Sequence, residues 1–324
     1  MTTTAVNPVL LLTAVVRRVE RLSPSFVRIC FRGVDFEHLG PEGPTLDQRV
    51  KVLIPSTGHG VPRLDPDGWY AAWLALPEHE RGHVRTYTAR AVEGEGDDRQ
   101  LVVDFVLHGP DGHGGAPAGP AGSWAEEATV GDEIGLLAPR RGHERSFGGI
   151  EFAPADARRL VLVADETAVP ALASIAEALP ADADGIAVVE VPDATDFLDV
   201  RFPPGFEVHW LARGDRERGS QTLATLRSCL RLDTEGRAPN ELPSLGRSAD
   251  LDDDVWETAM YSSSGDDVTV SLQEAALLGP DDTYAWVAGD SDTVKACRRL
   301  LVGEGGMPRH QVAFMGYWKQ GRAS

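Results

Sequence analysis

The alternation of apolar and polar positions divides the chain into two stretches with different grammars. From residue 10 to about 140, short β-rich runs follow one another with turn residues between them: "LLTAVVRRVE", "FVRICFRG", "QRVKVLIP", "HVRTYTARAV", "QLVVDFVLHG" and "EIGLLAP". Six such runs with little helix among them predict a six-stranded antiparallel barrel.

After "FAPADARR" strands alternate with amphipathic helices, which predicts a doubly wound parallel sheet. "RLVLVAD", "GIAVVEVP", "FEVHWLARG", "TYAWVAGD" and "HQVAFMGYW" read as strands. "AVPALASIAEALP" reads as a helix with Pro170 in its first turn and Pro180 at its end, followed by the helices "SQTLATLRSCLRL" and "SDTVKACRRLLVGEGG". The expected domains are residues 1–155 and 156–324, the second carrying an acidic surface insertion at about 232–282, where only a turn such as "DVWETAMY" looks ordered.

Composition narrows the partners. A chain of 324 residues can bury two cores, and 31 basic against 50 acidic residues disfavour nucleic acid and anionic membranes. Any anionic ligand must meet a local basic pocket. Cys30, Cys229 and Cys297 are odd in number and far apart, which argues against disulfides and a thiolate metal site. No signal peptide or membrane-length apolar run is recognisable, so a soluble, cytoplasmic protein is expected.

The basic run "HVRTYTAR" is unusual in so acidic a chain. On a strand, Arg85, Tyr87 and Ala89 share one face, and Thr86, Thr88 and Arg90 the other. A guanidinium beside an aromatic ring suits a ligand with both a phosphate and a planar ring, and the hydroxyl or amide of Thr88 is placed to reach a ring nitrogen. An ordinary amphipathic barrel strand would carry the same letters.

"RTYTAR", followed in order by "DFVLHG", "GPAGSWA", "VADETAVPA", "VVEVPD", "WVAGD" and "GYWKQGRA", resembles the siderophore-interacting proteins, a flavoprotein family of the ferredoxin reductase-like superfamily. The resemblance spans nearly the whole chain and makes the barrel an FAD-binding domain and the parallel-sheet domain an NAD(P)-binding one. It assigns Arg85 to the FAD pyrophosphate, Tyr87 to the isoalloxazine face and Thr88 to the edge near N5, so that Tyr87 and Thr88 stand closest to the chemistry. It also brings in the segment of Asp104, Val106, His108 and Gly109, the last two on the adenosine side.

In "GPAGSWAEEA", Ala121, Gly122 and Ser123 would bring amides, a hydroxyl and a positive helix end to a pyrophosphate, although Ser123 also reads as a plain N-cap. His108 and His113 lack a nearby cysteine or carboxylate, so no protein-bound metal is expected.

The second domain lacks G-x-G-x-x-G. Instead Asp165, Glu166 and Thr167 stand where the first strand meets the first helix, suited to a dinucleotide phosphate or to capping that helix. Glu190 is placed for a ribose hydroxyl and Arg213 for a 2′-phosphate, so NADH and NADPH both stay open. Gly289 and Asp290 resemble the family's strand end beside the nicotinamide, with Asp290 where the family more usually has Glu.

Of only three lysines, Lys51 and Lys319, with Arg322 close to the latter, fall where the resemblance expects a basic substrate pocket. The function it implies is an NAD(P)H-oxidising reductase of ferric siderophores. A general electron-transfer reductase of the same fold and a non-enzymatic siderophore-binding protein remain alternatives, with ferredoxin open as an electron source.

Overall fold

The computed structural model describes residues 7–107, 119–143, 148–232, 256–258, 261–262, 278–279 and 282–319. By internal contacts the chain separates into two units, residues 1–151 with 173–178, and residues 152–172 with 179–324.

The first unit holds β1 (Val9–Ser23), β2 (Phe26–Arg32), β3 (Arg49–Ile54), β4 (His83–Thr88), β5 (Ala91–Glu93), β6 (Gln100–Val106) and β7 (Glu133–Pro139). They form one antiparallel sheet in the order β4-β3-β7-β1-β2-β6-β5. Its two edge strands are consecutive in the chain. The Ala89 amide still donates to Gln48 O (2.8 Å) beside β3, while the Arg90 amide donates to Val102 O (2.9 Å) on β6. One peptide step therefore carries the chain from one edge of the curled sheet to the other, and the predicted run "HVRTYTARAV" becomes two strands. This corner is why seven strands stand where six were expected.

Alternation decides what fills the sheet's interior. Val50 and Val52 on β3, Phe105 on β6 and Leu136 on β7 are each no more than 1 % exposed. A helix, Pro120–Glu127, supplies Trp124, whose ring lies 6.3 Å from Phe31 and 5.8 Å from Phe105. Two helices that the periodicity did not suggest, Trp69–Ala75 and Glu78–Arg81, lie between β3 and β4 and bury no residue.

The second unit is built on β8 (Arg159–Asp165), β9 (Asp184–Val191), β10 (Gly205–Ala212), β11 (Trp256–Thr258), β12 (Tyr261–Ser262), β13 (Thr283–Asp290) and β14 (Val312–Trp318), in the order β10-β9-β8-β13-β14-β11-β12. The first five are parallel. Six consecutive residues of β8 and seven of β13 are buried, the signature of central strands covered on both faces. Val163, Val287 and Phe314 join Leu226 of the helix Ser220–Cys229 and Val294 of the helix Ser291–Arg298 in one core. The "DVWETAMY" segment, expected as a turn in an insertion, contributes β11 and β12 to the sheet edge, and Trp256 stacks on Tyr317 at 6.3 Å. Among the described residues no helix is long and apolar enough to cross a membrane.

Candidate functional site

The outer edge of β4 carries the first group of candidate residues. Bonded and non-bonded pairs alternate along an antiparallel ladder, and the Gln48–Ala89 pair is bonded. The next pair, Arg49–Thr88, is therefore non-bonded, and the Thr88 amide points off the side of β4 that no described strand covers. Although the Thr88 side chain faces away from that of Tyr87, its backbone is available.

Tyr87 leans on Phe105 with ring centroids 4.5 Å apart and is half-buried, and desolvation pushes its phenol above the ordinary range despite the nearby charge of Arg85. Arg85, on the same face, donates to the Val84 carbonyl at 2.8 Å, and no described carboxylate pairs with it. Lys51 occupies the opposite face of the β3–β4 ladder, where its ammonium donates to Thr86 Oγ1 at 3.1 Å. Burial, aided by the charge of Arg49, lowers its proton affinity.

The helix Pro120–Glu127 begins earlier than the sequence suggested. Gly119 is the N-cap residue, without a side-chain cap, and the Ser123 amide already donates to Gly119 O at 3.0 Å. Ser123 is thus an exposed first-turn residue and not the N-cap, while the amides of Ala121 and Gly122 lie among the donors that a helix leaves unpaired. A Cβ at Gly122 would stand 3.4 Å from Val106 O, so the segments of Val106 and Gly122 meet.

Asp104 is spent inside the protein. It accepts from Arg28 Nε (2.7 Å) and Arg28 Nη2 (2.8 Å), and Arg90 Nε lies 3.9 Å away. Arg28 was invisible to motif reading because its partner is 76 residues distant. His108 and Gly109 lie outside the described residues, as does Arg322.

The second group gathers at the carboxyl ends of the parallel strands, where β8 and β13 lie side by side although β9 to β12 separate them in sequence. This is the topological switch point at which open α/β sheets bind ligands. Asp165 ends β8. Its Oδ1 accepts from the amide (2.8 Å) and hydroxyl (2.6 Å) of Thr167, and its Oδ2 from the Asp290 amide (2.7 Å) and the Trp318 indole (2.8 Å). Burial and the charge of Glu166 push its pKa up to about 6, against the hydrogen bonds of Thr167 and Trp318. Gly289, at φ +144°, is required here because a Cβ would stand 2.5 Å from Asp165 Cγ.

Glu166 is fully buried, and Arg213 grips it through two nitrogens at 3.0 and 3.1 Å while Arg218 adds a third bond at 2.9 Å. Burial opposes its charge, but Arg218 and Arg213 outweigh that and hold its carboxyl below the usual range. Glu190 accepts from the Gly219 amide (3.0 Å) and Thr222 Oγ1 (3.1 Å). Glu190 and Arg213, the two residues read as donor-selective, are thus both committed to protein partners.

Asp290 caps the helix Ser291–Arg298 through Oδ2, whereas its buried Oδ1 has no hydrogen-bond partner among the described residues. Arg218 also lies 4.6 Å over the Trp318 ring, which fixes the residue preceding the half-buried Lys319.

An antiparallel barrel followed by a parallel sheet is the architecture of FAD/NAD-binding reductases. The FAD/NAD-binding domain of a nitric oxide dioxygenase from Vibrio cholerae O1 biovar El Tor superposes with a TM-score of 0.54 at 11% identity, over 95% of this chain and 98% of that one. The chain belongs to the siderophore-interacting protein family: residues 157–321 match "Siderophore-interacting protein" and residues 15–143 match "Siderophore-interacting FAD-binding domain". It is similar to the ferric vibriobactin reductase ViuB of Vibrio cholerae serotype O1, at 26% identity over 94% of this chain and 88% of that protein. A siderophore utilization protein from T. fusca shares its fold with a TM-score of 0.67 and 28% identity, over 98% and 95% of the two chains.

Proposed function

We propose that this protein is an FAD-dependent oxidoreductase that draws electrons from NADH or NADPH and reduces the Fe(III) of a ferric siderophore, releasing Fe(II) in the cytoplasm. The observation that carries the reading is the β4 edge: a cation without a described carboxylate, an aromatic face and an amide turned away from the described strands stand within four residues, inside the segment matched by the siderophore-interacting FAD-binding family.

These residues fit FAD. Arg85 would grip the pyrophosphate, joined by the amides of Ala121 and Gly122 at the positive helix end. Tyr87, backed by Phe105, would lie along the ring, and the Thr88 amide would donate to the edge bearing N5. Bound FAD would supply the conversion of a two-electron donor into single-electron steps. The protein contributes position and electrostatics, with no acid or base required.

Lys51 offers positive charge to an anionic ferric chelate, and Lys319 and Arg322 are assigned the same role. Reduction weakens the hold of hard oxygen donors, because Fe(II) is the softer ion. At the head of the parallel sheet, the Oδ1 of Asp290, which no described donor reaches, is the acceptor left for a hydroxyl or amide of the nicotinamide half, beside Asp165, Thr167 and Gly289. Glu190 and Arg213, both buried, leave the choice between NADH and NADPH to other contacts.

The test is to isolate the protein with its flavin, reduce it anaerobically with each nicotinamide, and add ferric siderophores with an Fe(II) trap. Bleaching by a nicotinamide, reversed by the chelate as the trap colours, is expected. A protein that takes up no FAD, or whose reduced form transfers electrons only to another protein, overturns the reading. Bleaching by ferredoxin alone replaces the donor.

A further inference from the structure

On the edge strand β10, Glu207 and His209 are two residues apart and share a face. The helix Ser220–Cys229 ends against that face and brings Cys229 to it. His209 Nε2 lies 3.0 Å from Glu207 Oε1 and 3.3 Å from Cys229 Sγ, and the three ligand atoms all fall within 4.8 Å of one another.

Hydrogen bonding satisfies this trio only in part. A ring nitrogen carries either one hydrogen or one lone pair. With a hydrogen, Nε2 serves Glu207 and leaves the thiol hydrogen without its nearest acceptor. With a lone pair, it accepts from Cys229 but faces the carboxylate oxygen at 3.0 Å. A cation at the common centre resolves the conflict, because all three groups then present lone pairs to it. Adjacent ligands of a tetrahedral zinc stand roughly 3.3–3.7 Å apart, given its usual bond lengths, and the two His209 contacts are close to that spacing.

We infer that Glu207, His209 and Cys229 form a site for a divalent cation of the zinc class. The imidazole, carboxylate and thiolate set is borderline-soft and suits Zn²⁺ better than Mg²⁺ or Ca²⁺. Binding releases the Cys229 thiol proton to solvent. The side chain of Glu207 is 67 % exposed, so the fourth coordination position opens to water. The ion ties the sheet's edge strand to the end of the helix that packs on it. The cysteine spacing hid this site, since the fold supplies what a C-x-x-C motif would otherwise supply locally.

The test titrates the chelator-washed, flavin-loaded full chain with Zn²⁺ against a competing chromogenic chelator. One zinc per chain is expected, with affinity falling on the order of 100-fold or more in His209→Ala and Cys229→Ser. A Glu37→Gln, His38→Ala variant of the other described carboxylate–histidine cluster, Asp35–Glu37–His38, should keep full affinity. Co²⁺ should give a thiolate charge-transfer band in difference spectra that Cys229→Ser abolishes.

If either site variant melts below the parent without metal, alkylation of the unmodified chain replaces it. Stoichiometric Zn²⁺ should slow modification of Cys229 about tenfold, with buried Cys30 and Cys297 as internal references. Absence of stoichiometric binding, binding that survives Cys229→Ser, or unprotected Cys229 overturns the proposal.

Discussion

The barrel edge and the head of the parallel sheet both concentrate charge, yet they treat it in opposite ways. Along β3 and β4, Arg85 and Lys51 spend single hydrogen bonds on a carbonyl and a hydroxyl and meet no described carboxylate. At the sheet head, Glu166, Glu190, Arg213 and Arg218 satisfy one another and nearby amides inside the protein. Charges that no described counter-charge meets are open to an ionic ligand, whereas charges locked together in the interior hold loops in place. The same residue types are therefore built into the protein in one unit, and in the other are left for the recognition proposed above.

The sharpest way to break this contrast is to open the buried network. Glu166→Ala leaves Arg213 desolvated without its bidentate partner, and should destabilise the protein by about 3–5 kcal/mol in denaturant unfolding. An unchanged midpoint would move Glu166 from construction to ligand binding.

Asp165 tests the same network through pH. Its pKa of about 6 in the fold lies above the ordinary aspartate value of about 4, so the folded state binds its proton more tightly than the unfolded chain. The associated stability is present in full below about pH 4 and is lost as pH rises through about 6. The stability of the parent relative to Asp165→Asn should accordingly fall by roughly 3 kcal/mol between those limits. A difference independent of pH would show that Asp165 is no more perturbed than a surface carboxylate.

On the side proposed for recognition, Arg85→Ala should cost about 2–3 kcal/mol of FAD binding, roughly 100-fold, with little change in unfolding, because no described ion pair is lost. Equal losses in both measurements would make Arg85 structural. The smallest effect belongs to Lys51→Glu, which should raise KM for an anionic ferric chelate roughly tenfold while the rate of flavin reduction by nicotinamide is retained. A matching fall in flavin reduction would shift Lys51 from the chelate to the flavin.

Periodicity alone determined the barrel followed by a parallel sheet, since period two and period 3.6 are local consequences of backbone geometry. Short motifs marked Arg85, Tyr87, Thr88 and the Asp165–Thr167 turn as candidates, because each lies within a few residues of the strand end that displays it. Tertiary structure decided the rest. It split "HVRTYTAR" at Ala89–Arg90, turned the Thr88 amide outward and moved Ser123 into the helix. It paired Asp104 with Arg28 across 76 residues and Glu166 with Arg213 across 47, and it set Cys229 beside His209. Those outcomes depend on which chain segments become neighbours, and pairing over such distances leaves no periodic trace in a single sequence.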